Sequence, residues 1–521
     1  MSGMADRAKR QDTGRIHRLI GNADVVRQIQ FIDTTVRDGN QSLWGATGLT
    51  TGMILQIAPV MDQVGFRAID FITSTHMAVT VRWHRENPWE RIRLMREATP
   101  VTPLSFLTTG FRFISWEVAH EDLMRLVFGL LLEAGIRRFY VMDPMNDMAA
   151  TVACANTIAA LGGEDIVGAL VYTVSPVHDD AFYAECAERL ARAPSIRSVY
   201  LKDPGGLLTP ERARTIIPAI KTRLGAKPLE LHSHCTIGLA QFSYLEAARL
   251  GVAALHTAAG PLGNDAAQPA AESVAGNLRE EGFAIGLDME KLAQMSAYFR
   301  RLALAEGLPL ARPQVFDARY FRHQMPGGML GTMRRQLREL RQEHRLAEAL
   351  EEVERVRREL GYPIMVTPFS QVVGTQAVMN MLGGERYANV PDEVIRYALG
   401  RFGTPAAPLD PEVCDRILGL PRAKALGAEP GMPELAEFRR RFGSRMPDEE
   451  LILRAVMPAE QVDAMLAAGP CNRSYNAELR PVLELLRELS KRPEVTHATL
   501  EKPGFRMELR ASGTPHDPTQ R

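Results

Sequence analysis

The chain of 521 residues has few cysteines, no excess of charge of either sign and no long apolar run. Its five cysteines are widely spaced without a CxxC pair, which argues against a disulfide framework and is typical of reduced cytosolic thiols. Lys+Arg and Asp+Glu both number 62, so the formal net charge is zero and nothing favours nucleic acid or a membrane surface as a partner. No apolar run reaches the roughly 18 residues of a membrane-spanning helix. We therefore expect a soluble, cytoplasmic globular protein, and its size favours an enzyme.

The first part of the chain alternates short strand-like apolar runs with amphipathic helical patterns. Eight strands separated by helices predict an α/β fold, a (β/α)8 barrel. A doubly wound open sheet is the alternative, and it is disfavoured because no GxGxxG motif opens a predicted helix. The predicted strands are Ile29–Thr34, Ala68–Thr73, Val101–Leu107, Arg138–Asp143, Ile166–Thr173, Ser198–Lys202, Pro228–His234 and Ala253–Thr257.

After about Leu308 the strand pattern stops and a mostly helical domain is expected. Met333–Leu360 predicts one long charged helix, and Val390–Leu399 and Pro433–Phe442 predict further helices. Val495–Leu509 predicts two short strands, before a disordered tail from Ala511. The predicted segments are a polar extension without a secretory signal (1–27), the barrel (28–307), a helical funnel-like domain (308–470) and a small appendage with tail (471–521).

A His-x-His pair ends the seventh predicted strand. Residues two apart on a strand share a face, so His232 and His234 project to the same side and can share one metal ion. Active sites of such barrels lie at the carboxyl ends of the strands. Those ends also carry Asp38 and Lys202, and two histidines with a carboxylate suit zinc, manganese, cobalt or iron. A lysine ammonium is not a ligand, but CO2 added to Lys202 as a carbamate would supply an anionic oxygen.

Six motifs in order resemble the biotin-dependent carboxyltransferase family, which includes the carboxyltransferase domain of pyruvate carboxylase, the transcarboxylase large subunit and the oxaloacetate decarboxylase α subunit. The resemblance covers roughly Ile29 to Pro430. It implies a barrel followed by a mostly helical domain that funnels toward the barrel mouth. The motifs are Asp33–Leu43, Met142–Asp147, Leu201–Leu208, His232–His234, Arg322–Met329, and Gly361–Pro363 through Thr375–Val378.

The resemblance also implies the chemistry of the site. A divalent metal (Zn, Mn, Co or Mg) would help to move CO2 between carboxybiotin and an enolisable acceptor. The implied metal ligands are Asp38, carbamylated Lys202, His232 and His234. The implied catalytic residues are Arg37, Gln41 and Lys202, and the predicted substrate contacts are Arg37, Gln41, Thr109, Arg112 and Asp143.

Three positions depart from the family's pattern, so this is a divergent member. Thr109 stands where pyruvate-type members have an Arg that grips the keto-acid carboxylate, and Arg112 can substitute only if its loop rearranges. The stretch Thr73–Ala78 replaces a Gly-Gly-Ala-Thr-Phe-Asp loop and removes an Asp. Ala266 stands where a Thr passes a proton to biotin, which an Ala cannot do. The acceptor is therefore predicted not to be ordinary pyruvate. The candidates for a substitute relay are Asp265 and His256.

The expected partners follow from what the chain does not contain. There is no Ala-Met-Lys-Met biotinylation sequence and no ATP-grasp motif, so biotin is expected on a separate biotin carboxyl carrier protein, loaded by a separate biotin carboxylase subunit. A homodimer through the barrels is also expected. Leu486–Leu509 is either a docking element for these partners or a small stabilising appendage.

Two alternatives remain at this point. One is an aldol-type lyase or Claisen-type synthase of the same metal-dependent barrel superfamily, which shares Arg37-Asp38-Gly39 and the His-x-His pair but lacks the Pro-Gly-Gly-Met and Gly-Thr-Gln-Ala-Val stretches. The other is a non-catalytic scaffold subunit of a carboxylase complex.

Overall fold

Eight parallel strands form a closed barrel in the computed structural model, which describes residues 27–476 and, beyond these, 485, 488, 489, 492, 494–502 and 505–510. Each strand pairs with the next, and β1 pairs with both β8 and β2, so the sheet closes and the predicted (β/α)8 barrel is confirmed. The strands are β1 (Gln28–Asp33), β2 (Ala68–Thr73), β3 (Leu104–Thr108), β4 (Arg138–Val141), β5 (Asp165–Val171), β6 (Ser198–Asp203), β7 (Leu229–Ser233) and β8 (Ala254–Thr257).

Helices surround the barrel, and side chains cap the first turns of several of them. Asn87, Asp147 and Thr209 accept hydrogen bonds from backbone N–H groups of the helices that follow them, at 2.9, 2.9 and 3.1 Å. The helices of this part are Asn40–Trp44, Thr51–Met61, Ser74–Val79, Pro88–Ala98, Glu121–Ala134, Met148–Ala160, Asp180–Arg192, Pro210–Leu224, Ala240–Arg249, Ala271–Glu280 and Met289–Glu306. A short strand, β9 (Ala284–Ile285), pairs with β1.

The barrel interior combines apolar side chains, such as Val167 and Ala169, with an unusual number of charged and polar ones. Alternate residues of each strand face inward, and Glu230 of β7 meets Arg138 of β4 across the interior. Tyr140 accepts a hydrogen bond from Nε of Arg138 at 3.1 Å. All three side chains are buried, so charged and hydrogen-bonded groups support the site from below.

A second apolar core, around Val353, Phe369 and Tyr397, lies in the helical part that follows the barrel. The prediction of one helix over Met333–Leu360 was wrong. The chain ends the first helix at Glu339, places Arg341 in the left-handed region (φ 58°) and makes a 3-10 turn before the next helix begins. The helices are Tyr320–His323, Gly327–Glu339, Leu346–Glu359, Phe369–Leu382, Asp392–Ala398, Pro411–Leu418 and Pro421–Gly427.

Three later helices return to the barrel. Their buried side chains belong to the barrel core and not to the second core. These helices are Leu435–Phe442, Asp448–Val456 and Ala459–Ala468. The predicted pair of strands near the end is confirmed as the hairpin β10 (His497–Lys502) and β11 (Phe505–Arg510). The polar extension at 1–26 and the predicted tail from 511 lie outside the described residues. In the part of the chain that is described, no helix is long and apolar enough to cross a membrane.

Candidate metal centre and active site

Asp38 is carried by an unusual turn after β1. Thr35–Gly39 form a single π-helical turn, in which Gly39 N donates to Thr34 O at 2.9 Å. Such widened turns are common at functional sites because they change the direction of side chains. A Cβ at Gly39 would stand 3.3 Å from the Cβ of Leu262, so the turn packs closely against the loop after β8. The turn leaves Asp38 buried at the mouth of the barrel.

The three predicted nitrogen and carboxylate ligands meet at this mouth. Nε2 of His232 lies 2.9 Å, and Nε2 of His234 3.3 Å, from Oδ2 of Asp38. The two Nε2 atoms lie 3.3 Å apart. Donor atoms bound to one zinc-like ion at about 2.0 Å stand roughly 3 Å from one another. The donor types and their spacing therefore fit a divalent cation.

The protonation states favour metal binding. Burial lowers the pKa of His232 well below its ordinary value, and Lys202 adds to the shift, so its imidazole is neutral. Burial alone would raise the pKa of Asp38, but Arg37, His234 and Lys202 hold it well below its ordinary value, so Asp38 is a carboxylate. A neutral imidazole and a carboxylate, with the ring nitrogen of His234 beside them, are donor types that a divalent cation binds.

Gln268 is a site residue that the sequence analysis missed. Its Nε2 lies 3.1 Å from Asp38 Oδ2, 3.1 Å from His232 Nε2 and 3.0 Å from His234 Nε2. Its Oε1 lies 2.8 Å from Oγ1 of Thr34, which also lies 2.9 Å from the carbonyl of Thr257.

A proton count bears on the orientation of the Gln268 carboxamide. The Thr34 hydroxyl has one hydrogen and cannot donate to two oxygen acceptors at once. Exchanging the amide oxygen and nitrogen resolves the conflict, because Nε2 then donates to Thr34 and the oxygen turns toward the three ligand atoms. In that orientation the carboxamide oxygen can serve as a fourth donor atom to a cation, beside those of Asp38, His232 and His234.

Lys202 lies beside this group on β6, in register with His232 of β7. Its Nζ lies 3.8 Å from Oδ2 of Asp38, and the side chain is buried. Burial lowers the pKa of Lys202 to about 8; Asp38 opposes the shift and Arg37 adds to it. Only an uncharged amine can add CO2. A lysine with a lowered pKa is uncharged more often than an exposed lysine, so Lys202 is better suited to form a carbamate.

Arg37 is held between two carboxylates. Its Nε donates to Oδ2 of Asp70 at 2.8 Å, and its Nη1 lies 3.1 Å from Oδ2 of Asp38. Nε2 of His76 lies 3.0 Å from the carbonyl of Arg37. The stretch that replaces the family's loop is thus a short helix, Ser74–Val79, whose buried histidine supports the turn that carries Asp38.

A cavity of about 490 Å³ opens above these groups. Its roof comes from the helical part, with Pro326, Met365, Val366 and Thr367, so it lies between the barrel mouth and the second core. The sequence-predicted residues that line it are Arg37, Asp38, Gln41, Thr109, Lys202 and His234. Those that do not line it are His232, Arg112 and Asp143.

Arg112 and Asp143 face one another beside the cavity. Nη1 of Arg112 lies 3.3 Å from Oδ2 of Asp143, and its Nη2 donates to the carbonyl of Phe402 at 3.0 Å. Asp143 also accepts a hydrogen bond from Met145 N at 2.8 Å. Substrate contact by either residue stays a prediction that requires this loop to open.

The loop after β8 supports His234 through its backbone. Nδ1 of His234 lies 2.6 Å from the carbonyl of Ala266. Asp265 accepts hydrogen bonds from Arg312 N at 3.1 Å and from Gln314 Nε2 at 2.6 Å, and it does not line the cavity. His256 lies inside the barrel, behind His232. A proton relay through Asp265 or His256 stays a prediction.

Comparisons with known proteins place the chain in a family. The family described as a conserved carboxylase domain matches residues 321–478, and the HMGL-like family matches residues 141–298. A pyruvate carboxylase subunit of Methanothermobacter thermautotrophicus is 33% identical over 497 residues, covering 94% of this chain and 85% of that protein. The 2-oxoglutarate carboxylase large subunit of Hydrogenobacter thermophilus is 32% identical over 450 residues, covering 85% and 69%.

Two further matches extend the comparison. The methylmalonyl-CoA carboxyltransferase 5S subunit of Propionibacterium freudenreichii subsp. shermanii is 32% identical over 388 residues, covering 74% of this chain and 76% of that protein. The carboxyl transferase domain of Rhizobium etli pyruvate carboxylase, solved with pyruvate and biocytin, superimposes with a TM-score of 0.76 at 24% identity. That match covers 85% of this chain and 78% of the solved one and concerns the fold alone. The chain belongs to the biotin-dependent carboxyltransferase family and is an enzyme, the carboxyltransferase subunit of a biotin-dependent carboxylase.

Proposed function

We propose that this subunit moves a carboxyl group between carboxybiotin on a separate carrier protein and an enolisable acceptor other than free pyruvate, at a divalent-metal site. One observation carries the proposal. The donor atoms of Asp38, His232 and His234 converge, within 2.9–3.3 Å of one another, beside a cavity of about 490 Å³. Asp38, His232, His234 and carbamylated Lys202 would hold the metal, which would supply a Lewis acid for the acceptor's carbonyl oxygen.

The protein's own groups prepare the site for this exchange. Arg37 is held by Asp70 and in turn holds Asp38, so the carboxylate keeps its direction. Gln41 lines the cavity and offers a carboxamide to an acceptor oxygen. Apolar side chains, Leu107, Met142 and Met365, line part of the cavity beside these groups. Displacement of water from this part of the cavity by a bound acceptor would protect CO2 and the enolised acceptor from side reactions with solvent.

The exchange balances without an oxidant or reductant. The bond between the carboxyl carbon and the biotin nitrogen breaks, and a carbon–carbon bond forms at the enolised carbon of the acceptor. The proton lost from that carbon is the one that the biotin nitrogen gains. Because Ala266 has no side chain that can carry this proton, its path in this subunit differs from that through a threonine hydroxyl.

Thr109 and Arg112 support an acceptor other than pyruvate. Thr109 lines the cavity where a guanidinium would grip a carboxylate, and the guanidinium of Arg112 is occupied by Asp143 and by backbone carbonyls. The relatives' names cover pyruvate, 2-oxoglutarate and methylmalonyl-CoA chemistry, so this fold serves several acceptors. We infer that acceptor choice depends on residues around the cavity, among which Thr109 takes the place of an arginine.

The proposed assembly follows from the same family membership. A biotin carboxyl carrier protein would present carboxybiotin at the mouth, and a biotin carboxylase subunit would load it. We propose a cytoplasmic homodimer through the barrels. The metal-dependent barrel would comprise residues 28–307, with 308–470 as the helical domain over its mouth and 471–521 as an appendage.

Co-purification from the native source, followed by mass spectrometry, tests the proposal. A biotinylated carrier and a biotin carboxylase should be recovered with this chain. The recovered carrier, carboxylated with labelled bicarbonate, should then lose its label to an acceptor only in the presence of this subunit. Turnover of an acyl-CoA without any carrier would contradict the proposal. It would favour the lyase or synthase alternative, to which the HMGL-like match at 141–298 also points.

A further inference from the structure

We propose that His256 and Glu230 form a hydrogen-bonded relay inside the barrel that holds the metal ligand His232 as its Nδ1–H tautomer, with the Nε2 lone pair directed at the metal. The inference rests on the metal site of the proposed function. His256 and Glu230 are positioning residues in it, since neither lines the cavity.

Three buried side chains stand in line beneath the site. Nδ1 of His232 lies 3.2 Å from Nδ1 of His256, and Nε2 of His256 lies 3.2 Å from Oε2 of Glu230. All three residues are at most 1% exposed. Water therefore has no ready access to replace any member of the line, and each polar atom depends on its protein neighbour.

The charge at the far end of the line decides where the protons lie. Glu230 is ion-paired with Nη2 of Arg138, and Ser198 Oγ donates to Glu230 Oε1 at 3.0 Å. Nη1 of Arg138 is in turn paired with Asp165. This residue is partly exposed and begins β5, at the end of the barrel opposite to the site. A carboxylate with these partners is ionised and can only accept hydrogen bonds.

The remaining proton positions follow step by step. Because Glu230 only accepts, Nε2 of His256 carries the hydrogen that the two groups share. When this is the one N–H hydrogen on the His256 ring, its Nδ1 is an acceptor, and the hydrogen between the two rings lies on Nδ1 of His232. This leaves a lone pair on Nε2 of His232, on the side of Asp38.

His234 provides an internal comparison. Its Nδ1 lies 2.6 Å from the carbonyl of Ala266, which can only accept, so the same tautomer is set there by the backbone. His232 and His234 thus adopt the same Nδ1–H tautomer, His232 through the relay and His234 through a backbone carbonyl. A metal-bound histidine usually donates its other ring N–H to such an acceptor, and loss of that partner commonly costs roughly 10- to 100-fold in metal affinity.

Aromatic packing keeps the relay ring in place. Tyr200 stacks on His256 with centroids 5.5 Å apart and an angle of 8°, and Tyr140 meets it edge-on at 5.4 Å. Among the described residues, the hydroxyl of Tyr200 is buried without a hydrogen-bond partner. Tyr200→Phe is therefore a matched control, because it removes only this hydroxyl and keeps the ring that stacks on His256.

Cobalt(II) affinity of the purified full-length chain, measured by chelator competition, tests the proposal, with the visible cobalt spectrum as a second signal. His256→Leu removes the acceptor and should weaken cobalt binding by roughly 10- to 100-fold. His256→Asn places a carboxamide oxygen near the former Nδ1 position and should keep most of the affinity. Tyr200→Phe should bind as the wild type does. Equal affinity of wild type and His256→Leu would overturn the relay.

A second measurement keeps the test valid if His256→Leu does not fold. In zinc-loaded wild type labelled with 15N-histidine, the signals lost in His256→Asn belong to His256. They should show a protonated Nε2 and a bare Nδ1, and the opposite tautomer would overturn the relay. Failure of the metal site itself is recognised separately, because then the wild type and His232→Ala would bind cobalt equally.

Discussion

Nε2 of His232 lies 2.9 Å from Oδ2 of Asp38, although 194 positions of the chain separate the two residues. His234 and Gln268 approach the same carboxylate oxygen within 3.3 Å. A buried cluster of lone pairs and an anion is costly unless something positive completes it. Arg37 pairs with the Asp38 carboxylate, and a divalent cation would in addition accept the lone pairs of the two imidazoles.

One divalent metal per chain is the first expectation, and His232→Ala should lose most of it. Ligands of one shell act together, so removal of a nitrogen donor weakens the hold of those that remain. Metal content of extensively dialysed protein, measured by inductively coupled plasma mass spectrometry, gives the answer. His178→Ala, which alters a buried histidine elsewhere, should retain the metal. Full occupancy in His232→Ala would refute the ligand assignment.

Pyruvate should be a poor acceptor for the reconstituted enzyme. A bidentate contact between arginine and a carboxylate is strong and specific, and Thr109 cannot make it. Loss of such a contact typically costs a few kcal/mol, roughly a hundredfold in kcat/KM. Thr109→Arg should therefore raise kcat/KM for pyruvate, whereas Thr109→Ser should leave it low. Fast turnover of pyruvate by the unmodified subunit would show that another group binds the carboxylate.

The free energy of unfolding should fall as the pH drops from about 6.5 to 4, in part because of His178. Burial lowers the pKa of His178 to about 4, and Arg357 adds to the shift while Asp179 opposes it. The unfolded chain, with a histidine pKa near 6.5, binds the proton first, so stability from this group is present above 6.5 and lost below it. The loss is roughly 1.4 kcal/mol per pH unit within that window.

His178→Phe isolates this contribution. Urea denaturation of metal-free protein at pH 7 and at pH 4.5 gives the change in unfolding free energy for each protein. The variant should lose less stability than the wild type between the two values. Other buried histidines, such as His76 and His323, titrate in both proteins and cancel in the comparison. Equal losses would show that His178 is not neutral in the folded state.

The periodicity of apolar residues and the order of the motifs were enough to predict the barrel fold and the helical part that follows it. Short apolar runs, in which residues two apart share a face, predicted all eight barrel strands to within a few residues, because the strands of a parallel barrel are largely buried. The same period of two placed His232 and His234 on one face. The approach of Asp38 and Lys202 followed from the rule that barrel sites lie at the carboxyl ends of strands.

The remaining features depend on contacts between distant segments. Nothing local to Glu230 marks it as a partner of Arg138, and nothing near His256 marks it as a neighbour of His232. The approach of Gln268 to Asp38 likewise depends on the closure of the barrel, because a glutamine in a loop after a strand is common. The break at Arg341 was missed because the charged pattern continues across it, and only the backbone reversal ends the helix.

Lys202 supports the last prediction. An ammonium buried 3.8 Å from Asp38 would stand beside a divalent cation once the site is loaded, and buried like charges repel strongly. Addition of CO2 as a carbamate replaces this repulsion by an anionic oxygen that can join the metal shell. Lys202→Ala should therefore weaken metal binding and abolish carboxyl transfer. Lys202→Glu, which restores a carboxylate at shorter reach, should recover metal but little activity.

Protein loaded with metal in 13C-bicarbonate should show a carbamate carbon signal that is missing from Lys202→Ala. A fully occupied metal beside an unmodified Lys202 in a high-resolution map would contradict the carbamate, and would favour the lyase or synthase chemistry that needs none.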